Sequence, residues 1–195
     1  EARRPAVHAR SAEGFRVIDL ELPARPGFVG MGHALESTAE DYARFCAMLL
    51  GDGAFAGRRI LSPASVALMR ENAIGPLRIR PQRTTDPRQS ADLDLFPEVE
   101  KTHTLGFLRT EADLPGRRRA GSLSWAGLLN THFWIDPAAG VAGVLMMQQL
   151  PFLDPGAAGL LQRFERTLYA APSPRAAPRP RLPPTLPASA GGRPS

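Results

Sequence analysis

Residues 120–149 read AGSLSWAGLLNTHFWIDPAAGVAGVLMMQQ, and this stretch decides the fold. Ala120–Gly127 reads as a strand of small residues, and Leu129–Ile135 and Val141–Gln149 read as two apolar strands. The last two are joined across Asp136-Pro137-Ala138-Ala139-Gly140, a five-residue connection ending in glycine that suits an antiparallel hairpin. Working outward, Leu105–Thr110 adds a fourth strand before a turn at Pro115-Gly116. After the sheet, Asp154 caps a helix whose first turn holds Pro155, with Leu160, Leu161, Phe164 and Leu168 expected on one face. Strands followed by a helix predict an α+β fold, an antiparallel sheet with a C-terminal helix packed on it.

Upstream, a helical segment spans 37–74. Ser37 is the expected N-cap, with Glu40 completing a capping box. Tyr42, Phe45 and Leu49 recur at helical spacing, and Gly51 ends the first helix. Ser62 and Pro63 start a second. Residues 1–36 read as a loop approach with one short strand over Phe15–Leu22, followed by repeated Pro and Gly breaks. Residues 75–104 read as a long loop, and loops of that length are uncommon and often functional. Residues 105–170 hold the sheet and last helix. Residues 171–195, with eight prolines and no aromatic, are expected to be disordered.

The 195 residues carry 24 Lys+Arg against 19 Asp+Glu, a net +5, and four of those charges are arginines of 171–195, where there is no acid. The body is therefore near neutral and gives no case for a nucleic-acid surface. No apolar run approaches a membrane span. The single cysteine, Cys46, excludes an intrachain disulfide and a cysteine-based zinc site. His8, His33, His103 and His132 are dispersed, no metal-ligand spacing occurs, and no nucleotide-binding glycine motif occurs. No metal and no cofactor are expected. Ser124 lies in a strand, but Ser122 and Ala126 occupy the glycine positions of GxSxG. A local triad of Ser124, His132 and an aspartate stands beside the plainer reading, a strand whose small residues admit close approach to its backbone.

Three stretches carry a resemblance. They are Gly30–Phe45, Arg59–Met69, and the region from Leu105-Gly106-Phe107 through Trp125-Ala126-Gly127 and Phe133–Pro137 to the last helix. Together they resemble the C-terminal half of the beta-lactamase-related serine hydrolases, which include class C beta-lactamases, DD-peptidases (penicillin-binding-protein-like) and esterases. The resemblance implies a partial beta-lactamase/transpeptidase-like fold and an acyl-enzyme mechanism on an ester or amide substrate. It makes Trp125-Ala126-Gly127 the counterpart of the family's K-T-G strand motif, with Leu128 N–H as one oxyanion-hole donor. Trp125 in place of lysine removes a cation and shifts the expectation from beta-lactamase toward esterase-like chemistry. The family's S-x-x-K and Y-x-N are absent: Lys101 is the only lysine, with Glu98 three residues before it, and neither Tyr42-Ala43-Arg44 nor Tyr169-Ala170-Ala171 fits. His33 stands where the family usually has glycine.

The resulting expectation is the C-terminal portion of a serine hydrolase, with no catalytic serine or lysine in this chain and no activity alone. The substrate-binding, oxyanion-strand residues are Trp125, Ala126, Gly127 and Leu128. Val141–Gln149 is expected to leave an apolar edge open to self-association. The alternative is a non-catalytic module that binds a partner through that edge. The cytoplasm and the periplasm are equally open as compartments.

Overall fold

The computed structural model describes residues 5–20 and 36–171. The tail 172–195 and the segment 21–35, which contains His33 and the start of the first resembling stretch, lie outside them. The chain opens with β1 (Val7–Ser11) and β2 (Gly14–Ile18), an antiparallel hairpin. Gly14, at φ 126°, makes the turn, and the Ser11 hydroxyl donates to its carbonyl over 3.0 Å. This corrects the expected loop with one strand over Phe15–Leu22. Val7-His8-Ala9-Arg10-Ser11 offers only Val7 and Ala9 as an apolar alternation, too short a signal to mark a strand, and its second partner lies far along the chain. β1 pairs in parallel with β10 (Gln149–Leu150), His8 opposite Gln149.

α1 (Ala39–Leu50) starts one residue later than expected. Thr38, not Ser37, is the N-cap, and its hydroxyl accepts the Asp41 N–H at 3.2 Å. Thr38 has the extended backbone an N-cap requires. Glu40 binds Arg44 one turn on, at 2.5 Å, rather than reaching back to the cap. Gly51 closes the helix, where a Cβ would sit 2.3 Å from the Ala54 carbonyl. A small hairpin, β3 (Ala54–Phe55) and β4 (Arg58–Arg59), leads to α2 (Pro63–Arg70), capped by Ser62. Arg70 at its end reaches back to the Leu49 carbonyl and to Asp52, tying α2 to the end of α1.

The stretch expected as a loop over 75–104 ends in a strand, β5 (Lys101–His103). Lys-Thr-His contains no apolar residue, so periodicity could not show it. Its buried Lys101 is satisfied by Asp94 and by the Phe96 carbonyl, both at 2.9 Å. β6 (Leu108–Thr110), β7 (Leu123–Ala126), β8 (His132–Asp136) and β9 (Val141–Leu145) follow. The five form an antiparallel sheet in the order β5-β6-β7-β8-β9. The expected strand Val141–Gln149 is corrected: it stops at Leu145, and Gln149–Leu150 joins the other sheet. α3 (Pro155–Ala170) begins after Asp154, whose carboxylate accepts the Gly156 and Ala157 N–H groups and also pairs with Arg10.

Every residue of β8 is buried, so both sheet faces are covered. Phe133 and Ile135 face one way, with Leu123 and Phe107, against Cys46, Met48 and Leu49 of α1 and Val66 of α2. The alternate residues face α3, where Trp134 meets Phe164 edge-on at 5.7 Å. Opposite Trp134 stands Gly143, whose missing side chain admits the indole: a Cβ there would lie 2.2 Å from the ring. The buried face of α3 carries Ala157, Leu161 and Glu165, while Leu160, expected inside, is exposed. Glu165 takes three hydrogen bonds from Arg118, from Nε (2.8 Å), Nη2 (3.2 Å) and the backbone N–H (3.0 Å). No helix among the described residues is long and apolar enough to cross a membrane.

Removing one member of a buried ion pair leaves the other uncompensated. Glu165→Leu is therefore expected to lower unfolding free energy by about 3–5 kcal/mol in urea denaturation. Gly143→Ala should cost about 1–3 kcal/mol by overpacking against Trp134.

Candidate active site

β7 runs past the end of its neighbour. The β6 ladder ends at the pair Leu108 and Ser124, whereas β8 continues to pair with Trp125 and Ala126. The Ser122 carbonyl accepts from Thr110 of β6, and Gly127 N–H donates to Thr131 on the β8 side at 2.8 Å. Even-numbered β7 residues thus turn their backbone groups toward β6, so Ala126 faces an edge that β6 no longer covers. Gly127 then opens a turn in which its carbonyl accepts the Asn130 N–H at 3.0 Å. Leu128, next in that turn, is 50% exposed, and its N–H has no hydrogen-bond partner among the described residues. No atom lies within 4 Å of where a Gly127 side chain would begin, so the glycine fronts open space.

The four residues singled out in the sequence, Trp125, Ala126, Gly127 and Leu128, are thus contiguous at one open strand end. Trp125 is half-exposed and edge-on to His103, with ring centroids 5.3 Å apart. Beside it lies a cavity of about 250 Å³ whose other walls include Ile79, Arg80, Leu93, Lys101 and Leu108. Sequence reasoning missed these residues. They come from a loop and two strands, and the local signal within the loop was only the apolar alternation of Leu93 and Leu95.

The alternative triad does not assemble. Ser124 and His132 share a sheet face on neighbouring strands, yet no hydrogen bond joins them, and both Ser124 Oγ and His132 Nε2 lack a partner among the described residues. Ser122 is spent on the Arg119 carbonyl at 2.7 Å. His132, 3% exposed and stacked on Phe152, has its pKa pushed down to about 4 by burial and then by the charge of Arg118. It is a neutral imidazole in the interior with no carboxylate to orient it. Among the described residues no group of His, Cys, Asp and Glu is placed to hold a metal ion.

That histidine makes the fold acid-sensitive. Between its unfolded value of 6.5 and about 4, the unfolded chain binds a proton that the folded one refuses. Stability should fall as pH drops through this window, by about 3 kcal/mol. Denaturation measured at pH 7 and pH 4.5 should show the loss, and His132→Leu should flatten it.

Known proteins are similar to this chain. Simvastatin synthase of Aspergillus terreus, as its LovD9 mutant, superposes with a TM-score of 0.66 at 26% identity, over 87% of this chain and 42% of that one. An uncharacterized protein of Mycobacterium tuberculosis is 34% identical over 140 residues, covering 68% of this chain and 32% of the relative. The acyltransferase CalJ of Penicillium decumbens is 28% identical over 142 residues, 71% of this chain and 33% of that protein. The chain thus spans about a third of the length of these curated relatives. The family model described as Beta-lactamase matches residues 1–167, and with the sheet and helices in the family's arrangement, this chain belongs to the beta-lactamase family.

Proposed function

We propose that this chain supplies the oxyanion strand of a serine acyl-transfer enzyme, esterase-like rather than a beta-lactamase, whose nucleophilic serine and lysine base are contributed by residues outside it. The observation that carries this reading is the unpaired N–H of the half-exposed Leu128 at the open end of β7. In acyl transfer, a serine oxygen attacks an ester or amide carbonyl, whose oxygen gains negative charge before the alcohol or amine leaves. A fixed N–H aimed at that oxygen stabilises the charge where it develops, by roughly 3–4 kcal/mol. Gly127 leaves room for the acyl group beside the strand. Trp125 presents an apolar surface where the family's lysine would present a cation.

The acyl group then passes to water or to a second hydroxyl. Transfer is favoured by the relatives: CalJ is an acyltransferase, and a monacolin J acid methylbutanoyltransferase of Aspergillus terreus is 32% identical over 117 residues. The sequence holds no S-x-x-K, since Lys101 follows Glu98 at that spacing.

A second reading, a non-catalytic module that binds by strand addition, draws on β9, whose outer edge has no strand partner among the described residues. The same edge supports self-association.

With a fluorophosphonate probe, the chain alone should form no covalent adduct, and a stoichiometric adduct on Ser122 or Ser124 would overturn the proposal. In a longer protein whose upstream coding region supplies S-x-x-K and Y-x-N, Leu128→Pro removes the donor and should lower kcat by about 10²–10³-fold. Unchanged kcat would remove Leu128 from the oxyanion hole. Sedimentation velocity should show association that rises with concentration, and a monomer at all concentrations would exclude pairing through β9.

A further inference from the structure

The loop wall beside Trp125 is built rather than loose. Ile79 N–H donates to the Lys101 carbonyl at 2.9 Å, which lays the start of the wall along β5. Gln82 and Leu93 exchange reciprocal backbone bonds of 2.9 and 2.8 Å, which close the loop on itself. Asp94 and Lys101 both border the cavity, but they neutralise each other at 2.9 Å. What remains is an interior of Ile79, Leu93, Leu95 and Leu108 and one uncompensated charge, Arg80.

Arg80 differs from its neighbours. Arg78 pairs with Glu100, Arg83 with Asp92, Arg88 with Asp86, Arg109 with Glu111, Arg117 with Glu98 and Arg118 with Glu165. Between residues 78 and 118, Arg80 is the arginine with no hydrogen-bond or ion-pair partner among the described residues. The exposed Gln82 side chain, two residues on and also lining the cavity, likewise makes no hydrogen bond among them.

We propose that this cavity binds a small amphipathic monocarboxylate, its carboxylate held by Arg80 at the rim and its apolar tail laid against Ile79, Leu93, Leu95 and Leu108. The charge selects an anion, because a guanidinium holds a carboxylate through paired charge-assisted hydrogen bonds. The volume selects the tail. A dry cavity of 150 Å³ accepts benzene, so 250 Å³ accommodates up to roughly ten carbons. Trp125 borders both this cavity and the open strand end. On the acyl-transfer reading, the bound molecule is therefore a substrate, or the part of one, lying next to the reacting carbonyl. Only that last assignment rests on the acyl-transfer reading; the binding does not.

The test is a titration of the full chain at pH 7 with octanoate and with octan-1-ol, which keeps the tail and removes the charge. Trp125 is half-exposed at the cavity and Trp134 is fully buried, so a change in tryptophan emission reports the cavity, and calorimetry measures the affinity independently. Octanoate should bind at least tenfold more tightly than octan-1-ol. Arg80→Gln, at an exposed position that leaves the Trp134 emission intact, should weaken octanoate about tenfold and leave octan-1-ol unchanged. Trp125→Phe should abolish the emission change while calorimetric binding persists. Equal affinity for the two ligands, no binding of either, no effect of Arg80→Gln, or an emission change that survives Trp125→Phe would each overturn the assignment. Failure of the function reading is separable. Octanoate binding with no acylation of the longer protein sinks acyl transfer alone, and acylation without octanoate binding sinks the cavity assignment alone.

Discussion

The Arg118–Glu165 pair joins the parts of this molecule that no strand ladder connects. Arg118 sits between β6 and β7, Glu165 on α3, and both are almost wholly buried. Burying ions at that depth is costly, and three N–H donors from one residue offset it at the Glu165 carboxylate, while Arg118 Nη1 has no hydrogen-bond partner among the described residues. The guanidinium also lies over the rings of Phe96, at 4.2 Å, and Trp134, at 5.3 Å. Sheet, helix and the loop that walls the cavity therefore meet at one cation. Phe96 has φ at 58°, an unfavourable setting for an aromatic residue, and it is held by that stacking and by the Lys101 ammonium on its carbonyl.

The open strand end has an equally local cause. Thr104 folds the chain tightly between β5 and β6: its hydroxyl accepts the Gly106 and Phe107 N–H groups, and its own N–H donates to the Phe107 carbonyl. β6 consequently begins pairing only at Leu108. β7 continues for two residues with β8 alone, and its backbone stays accessible on one side at Ala126. A single-residue choice of turn thus decides that the Trp125–Leu128 region is a rim and not a covered ladder. At the far end of the sheet the opposite holds, because Gly143 lets Trp134 and α3 close down completely.

The fold is that of the beta-lactamase family, and on the proposed acyl-transfer reading the residues that depart from the family's strand motif shape the site. On that reading Trp125 presents an aromatic face where the family's motif has a cation, and the unpaired charge beside the cavity is Arg80 of the loop. In the proposed ligand site the cation, Arg80, and the apolar residues Ile79, Leu93, Leu95 and Leu108 line one cavity with Trp125.

What the sequence determined by itself is local. The caps at Ser62 and Asp154, the helix end at Gly51, the Asp136–Gly140 hairpin and the antiparallel α+β order are written in neighbouring residues, because capping bonds and tight turns span only a few positions. Even there, the choice between Ser37 and Thr38 as the cap depended on where the backbone turns helical, which adjacent equivalent hydroxyls do not reveal. Trp125-Ala126-Gly127 could be set beside the family motif because it is contiguous, and its role there belongs to the proposed function. The tertiary structure alone decided the β1–β10 pairing, strand β5, the burial of Glu165, the failure of Ser124 and His132 to meet, and the cavity behind Trp125. Each depends on groups far apart in the chain, such as Arg118 and Glu165, 47 residues apart. A charged or polar residue can enter the interior only when a distant partner arrives to satisfy it, and no pattern of neighbours encodes that arrival.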